Sequence, residues 1–121
     1  MTTLEKLKSY LKEIEKNDKK GNKINSFLHL NPYALEEAKR IDDKAKKGRL
    51  YGKIIAVKSN INVKGLIASC ASKVLEDYES TYDAYVIRRI KEEDGFIIWM
   101  TNMYEFAAVW SGETSAFGPT K

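Results

Sequence analysis

Lys58 closes the run Ile54-Ile55-Ala56-Val57-Lys58-Ser59-Asn60, a basic side chain set where an apolar stretch gives out. An amine in that place serves acid–base chemistry only if a useful fraction of it is neutral. That requires a pKa well below the reference of about 10.4, brought down by burial or neighbouring donors. The end of a buried strand is compatible with this. So is the plainer reading, a strand-end lysine with its head in solvent. The other chemistry-bearing types are sparse. His29 stands in an apolar run without Cys or His companions and makes no metal site. Cys70 is the single cysteine and reads as a small buried hydrophobe near a turn. Gly112 and Gly118 are too isolated to cradle a phosphate, and no Walker or dinucleotide pattern is present, so no cofactor is expected.

The elements that must position Lys58 follow from periodicity and punctuation. Thr2 and Glu5 form a capping box, and Leu4, Leu7, Leu11 and Ile14 then recur at helical spacing, predicting an amphipathic helix that ends near Asn17. The apolar run Ile24 to Leu30 suits a strand or an extended linker. Asn31-Pro32 predicts a second helix start, with Leu35, Ala38, Ile41 and Ala45 on its buried face and Gly48 as its stop. Tyr51 to Val57 predicts a strand buried on both sides. Gly65 marks a turn, and Ser69 to Leu75 suits a short helix. Tyr82 to Glu93 predicts a better one, with Ala84, Val86, Ile87 and Ile90 inward and Gly95 as its break. Phe96 to Met100 predicts a second buried strand, Tyr104 to Trp110 a helix, and Gly112 to Pro119 a loop.

The expected fold is therefore α/β, with N-terminal helices and a partial mixed sheet flanked by helices. We expect a single domain over 1–121, a helical leader at 1–50 and a partial α/β core at 51–121. A chain of 121 residues supports one ordinary core. Its 43% hydrophobic and 31% charged residues fit a folded, soluble protein. A net charge of +4 reads as a lysine-rich solvated face, without recognition-helix or zinc-finger patterns, so no specific nucleic acid partner is expected. One cysteine permits no intrachain disulfide and points to a reducing, cytoplasmic setting. No signal peptide, anchor or membrane-spanning run is visible, so no membrane partner is expected.

From Gly52 onward the ordered motifs resemble the amidase signature family. They are Ala56-Val57-Lys58-Ser59-Asn60, Lys64-Gly65, Tyr82-Asp83-Ala84, Thr101-Asn102-Met103, Glu105-Phe106-Ala107 and Ser115-Ala116-Phe117-Gly118-Pro119-Thr120. Within that family the chain is similar to the N-terminal part of the archaeal-type amidotransferase A subunits, whose leader also resembles the two helices and Lys23-Ile24-Asn25-Ser26-Phe27 between them. The resemblance implies amide hydrolysis by a Ser–cis-Ser–Lys arrangement in which Lys58 is the catalytic lysine. It also implies hydrolysis of glutamine to supply ammonia for converting Glu-tRNA(Gln) to Gln-tRNA(Gln), with other amidotransferase subunits as partners. The nucleophile and bridging serine of the family lie just beyond Gly-Pro-Thr, so these 121 residues alone are expected to be inactive. Ser72, Ser111 and Ser115 are hydroxyls at hand, but the family assigns the attacking role to none of them.

Departures from the family pattern cluster. Trp99 stands where glycine usually ends the second strand, Tyr104 replaces an aspartate, and Val109 and Trp110 occupy a Gly-Ser pair. Ser59 sits where many relatives carry aspartate, and Tyr85 and Arg88 replace a smaller and an acidic residue. Large aromatics in place of small residues either refill a core or form a contact. Tyr85, Arg88, Trp99, Tyr104, Val109 and Trp110 are thus interface candidates, for a designed partner or for a homo-oligomer. The alternatives are an excised, redesigned binding module and a shortened divergent relative.

Overall fold

The computed structural model describes residues 1–108 and 113–121. Helix α1 (Thr3–Ile14) opens on the expected capping box, with the Thr2 hydroxyl accepting from the Glu5 amide and Glu5 accepting from the Thr2 amide. Its last residues pass into a π-helical turn at Glu15–Lys19. Two further orphan amides of its first turn, those of Thr3 and Leu4, donate to the Asp42 carboxylate at 2.9 Å each. Asp42 ends the second helix, so one side chain ties the two helices together.

Strand β1 (Phe27–Leu30) takes the apolar run after α1. Helix α2 (Ala34–Asp42) begins later than Asn31-Pro32 predicts. The Asn31 side chain caps an intervening turn instead, accepting from the Tyr33 amide while donating to the Ile97 carbonyl. The inward face of α2 is Ala34, Ala38 and Ile41, and Leu35, expected inside, is 52% exposed. Ala45 lies past the helix end and is exposed. Gly48 is not the helix stop; its Cα passes so close to Glu93 that a Cβ would lie 2.4 Å from that residue's backbone.

Strand β2 (Ile54–Lys58), helix α3 (Tyr85–Glu92) and strand β3 (Phe96–Thr101) complete the core. The sheet order is β1-β3-β2, with β3 antiparallel to β1 and parallel to β2. This mixed sheet with flanking helices is the α/β architecture expected. Burial on both faces belongs to the central β3, whose residues Phe96 to Met100 are all buried, and not to β2, where Ala56 is exposed. The ladder passes from Ile55↔Ile97 to Ala56↔Trp99, so Ile98 is an extra residue in β3. That bulge turns Ile98 and Trp99 to the same side, against Leu7, Ala38 and Ile41. Ile97 and Met100 face the other way, with Val57, Val63, Leu66 and Ile87.

In α3 only Ile87 is fully buried, and Val86 is outside. The break after α3 comes at Asp94, which adopts the left-handed conformation at φ 61°, one residue before the expected Gly95. The helix predicted over Tyr104 to Trp110 is, in its described part, a single 3-10 turn at Glu105–Ala107. Phe106 and Ala107 are left-handed there, at φ 51° and 57°, which no right-handed helix continues through. Among the described residues no helix is long and apolar enough to cross a membrane.

Candidate active site

Lys58 ends β2 and lies in register with Thr101, the last residue of β3. Parallel strands joined through a helix leave such ends open to a crevice, a common seat for ligands in α/β sheets. The Lys58 side chain is exposed, and among the described residues its Nζ has no hydrogen bond or ion pair. Ser59 follows with its hydroxyl fully buried and without a hydrogen-bond partner among the described residues. Its main chain is well held, the amide donating to the Thr101 carbonyl and the carbonyl accepting from Cys70.

Beside this strand end the backbone is strained. Cys70 and Ala71 are left-handed at φ 50° and 53°, and so are Phe106 and Ala107. The two pairs are joined, since the Phe106 amide donates to the Cys70 carbonyl at 3.0 Å. The Ala116 amide donates to the Ala71 carbonyl at 2.9 Å. Each such non-glycine residue costs about 1–3 kcal/mol, a strain that persists where surrounding structure over-determines it and that clusters at functional sites. No glycine marks these four positions, so sequence patterns gave no warning of them.

Asn102 organises the floor. Its Nδ2 donates to the carbonyls of Asn25 and Gly118, each at 2.9 Å. Its Oδ1 accepts from the Met103 amide at 2.9 Å and from Ser115 Oγ at 2.6 Å. Asn25, itself left-handed at φ 60°, donates back to the carbonyls of Phe117 and Gly118. The segment from Ser115 to Lys121 is thereby laid along residues 24–26. Ser115 is spent in this network, and Ser72 accepts from the Val74 amide to start a 3-10 turn at Lys73–Leu75. Neither hydroxyl is placed as a free nucleophile. Ser111 lies outside the described residues.

Two groups given plain readings in the sequence, His29 and Cys70, also belong to this region, and Cys70 is half-buried. His29, on β1, reaches Ser69 Oγ with Nε2 at 3.2 Å and stacks edge-on against Phe117 at 5.7 Å. Burial pushes its pKa down, and the Lys19 charge adds to the effect. Burial likewise raises the Cys70 thiol, which makes it a poor thiolate.

Among the described residues the interface candidates do not form one patch. Trp99 is 8% exposed and packs on Phe27 with ring centroids 5.3 Å apart, inside the α1–α2 layer. Tyr85 is 70% exposed, with the Arg88 guanidinium 5.3 Å over its ring on the outer face of α3. Tyr104 is half-buried. Val109 and Trp110 lie outside the described residues.

A mixed sheet with a strand-end lysine, a strained wall and an asparagine-held Gly-Pro-Thr segment defines a class that comparison makes explicit. Residues 5–121 match the family described as Amidase, and the chain belongs to that family. It is 55% identical over 121 residues to the A subunit of the glutamyl-tRNA(Gln) amidotransferase from Methanocaldococcus jannaschii, covering 98% of this chain and 27% of the relative. Its fold superposes on the native peptide amidase of Stenotrophomonas maltophilia with a TM-score of 0.90 at 28% identity, covering all of this chain and 26% of that one. The A subunit of the glutamyl-tRNA(Gln) amidotransferase from Thermotoga maritima superposes with a TM-score of 0.74 at 32% identity, over 92% of this chain and 22% of that one. The chain thus spans about a quarter of the length of the relatives it matches.

Proposed function

We propose that this chain supplies the lysine of a Ser–cis-Ser–Lys amidase in an amidotransferase A subunit. In this reading Lys58 takes the proton that the nucleophile gives up through the bridging serine. The nucleophile attacks the glutamine amide, ammonia leaves with that proton, water frees glutamate from the acyl-serine, and the ammonia is used to convert Glu-tRNA(Gln) to Gln-tRNA(Gln) with other amidotransferase subunits as partners. The observation that carries it is the place of Lys58 at the strand end opposite Thr101, in a chain 55% identical to such a subunit. The strained wall beside Lys58 supports it, because positions of that kind hold reacting groups in fixed relation. We place the protein in the cytoplasm.

The test is a chimera in which this chain replaces the matching N-terminal part of the M. jannaschii protein. Glutaminase activity should persist, and Lys58→Ala should lower kcat by about 10²–10⁴, the usual range for loss of a general acid–base group. A Lys58→Ala chimera within twofold of its parent would overturn the assignment. The 121 residues alone should release no ammonia from glutamine. The alternative, a redesigned or self-associating binding module, needs its aromatics together on a surface. With Trp99 inside the α1–α2 layer and Tyr85 on the outside of α3, no described observation favours it.

A further inference from the structure

Away from Lys58, a cavity of about 170 Å³ lies between α2, α3 and the start of β3. We infer that this cleft binds a tetrahedral oxyanion of the phosphate class, with Arg40 and Lys64 as its direct ligands. Four cations line it, Arg40, Lys44, Lys64 and Lys91, against two carboxylates, Glu37 and Asp94. Drug-sized ligands occupy about 300–1,000 Å³, so this space takes an ion or a single anionic group.

The carboxylates and two of the cations are already engaged. Glu37 accepts from Asn31 Nδ2 at 2.8 Å. Asp94 is buried and takes Lys44 at 2.5 Å and the Gly48 amide at 2.7 Å. Lys91 is paired with Asp83 at 2.9 Å, and Asp83 also accepts from the Lys64 amide. Arg40 and Lys64 are left without a carboxylate partner among the described residues, one from α2 and one from the loop after β2. Both side chains are exposed at the cleft, and with Glu37 held only by the neutral Asn31 amide the lining of four cations and two carboxylates keeps a net positive charge. The Arg40 fork offers paired donors suited to phosphate, and Lys64 adds a compact point charge. Lys44 and Lys91 stay with their own carboxylates.

The same chemistry fits free phosphate and the phosphoryl group of a small ester, and the experiment separates them. The purified chain is titrated by ¹H–¹⁵N NMR at low salt with inorganic phosphate, with glycerol phosphate and with acetate. Saturable shifts are expected in the amides around residues 40, 64 and 94, with the tighter of the two phosphates naming the source. Arg40→Gln/Lys64→Gln should weaken binding at least about tenfold, as loss of charge-assisted bonds requires. Lys12→Gln, on α1, should leave it unchanged. The spectrum outside the cleft reports whether each variant is folded. Shifts that never saturate, equal binding of acetate, or equal binding by the double variant would each overturn the assignment. This inference is independent of the amidase reading, and its failure leaves that reading untouched.

Discussion

Asn102→Ala removes one side chain that holds three separate segments. Four hydrogen bonds disappear with it, to Asn25, Gly118, Met103 and Ser115. A net hydrogen bond contributes about 0.5–1.5 kcal/mol, and a buried partner left unsatisfied costs about 1–3 kcal/mol. Ser115 is buried, and its hydroxyl keeps only the bond it accepts from the Phe117 amide. The Asn25 carbonyl keeps weaker support from the Thr120 hydroxyl at 3.2 Å. Half-burial of Asn102 lets water replace part of what is lost, so the sum is about 2–4 kcal/mol and not the full total. Set against a domain stability of about 5–15 kcal/mol, that is a large fraction. Urea unfolding followed by tryptophan fluorescence measures it, since Trp99 is buried in the folded chain. The midpoint should fall with the m-value unchanged. Asn102→Asp should rescue little, because it keeps the Oδ1 acceptor but sets a carboxylate against two carbonyl oxygens. A loss below about 0.5 kcal/mol for Asn102→Ala would refute the view that this residue clasps the segment.

Trp99→Ala removes that reporter, so by urea unfolding followed by circular dichroism it should cost about 3–5 kcal/mol, as core aromatics do, whereas Tyr85→Ala should stay within about 0.5 kcal/mol. The reverse ranking would move Trp99 out of the core. Stability should also fall with acid in two windows, read from urea midpoints between pH 8 and pH 3. Burial holds the folded His29 pKa below its unfolded value near 6.5, so its contribution is complete above that value and is lost as pH drops below it. Asp94 is held low by the Lys44 bond, against burial. At Asp42 burial pushes upward, but the amides of Leu4 and Thr3 and the Tyr51 hydroxyl outweigh it. Both carboxylates contribute fully above about pH 4 and lose that contribution as pH falls through their depressed values. His29→Asn should flatten the upper window only, and Asp42→Asn part of the lower.

What the sequence disclosed was local. The Thr2–Glu5 box, the Phe96 to Met100 strand and the strand-end place of Lys58 follow from residue type and spacing, and each stands as read. Errors came where a distant partner decides. Asn31 spends its side chain on Tyr33 and Ile97, so α2 starts late. Sheet order makes β3 central, so the burial expected of β2 goes elsewhere. The bulge at Ile98 turns Trp99 toward the helices, which alternation alone does not foretell. At the candidate site, Asn102 was visible as a motif, but its grip on residues 25 and 118 needs the fold. The left-handed pairs carry no glycine, and so they carry no signature.

Among the described residues β2 is an edge strand, and its flanking charges have a bearing on solubility. Lys53 and Lys58 bracket the apolar Ile54-Ile55-Ala56-Val57, and both are exposed. If two copies paired rim to rim in opposite directions, Lys53 of each would sit across from Lys58 of the other. In the same direction each lysine would meet its twin. Two ammonium groups about 5 Å apart repel by about 1 kcal/mol even in water, and more as the contact dries. The Lys58 charge thus disfavours pairing of this strand with a second copy.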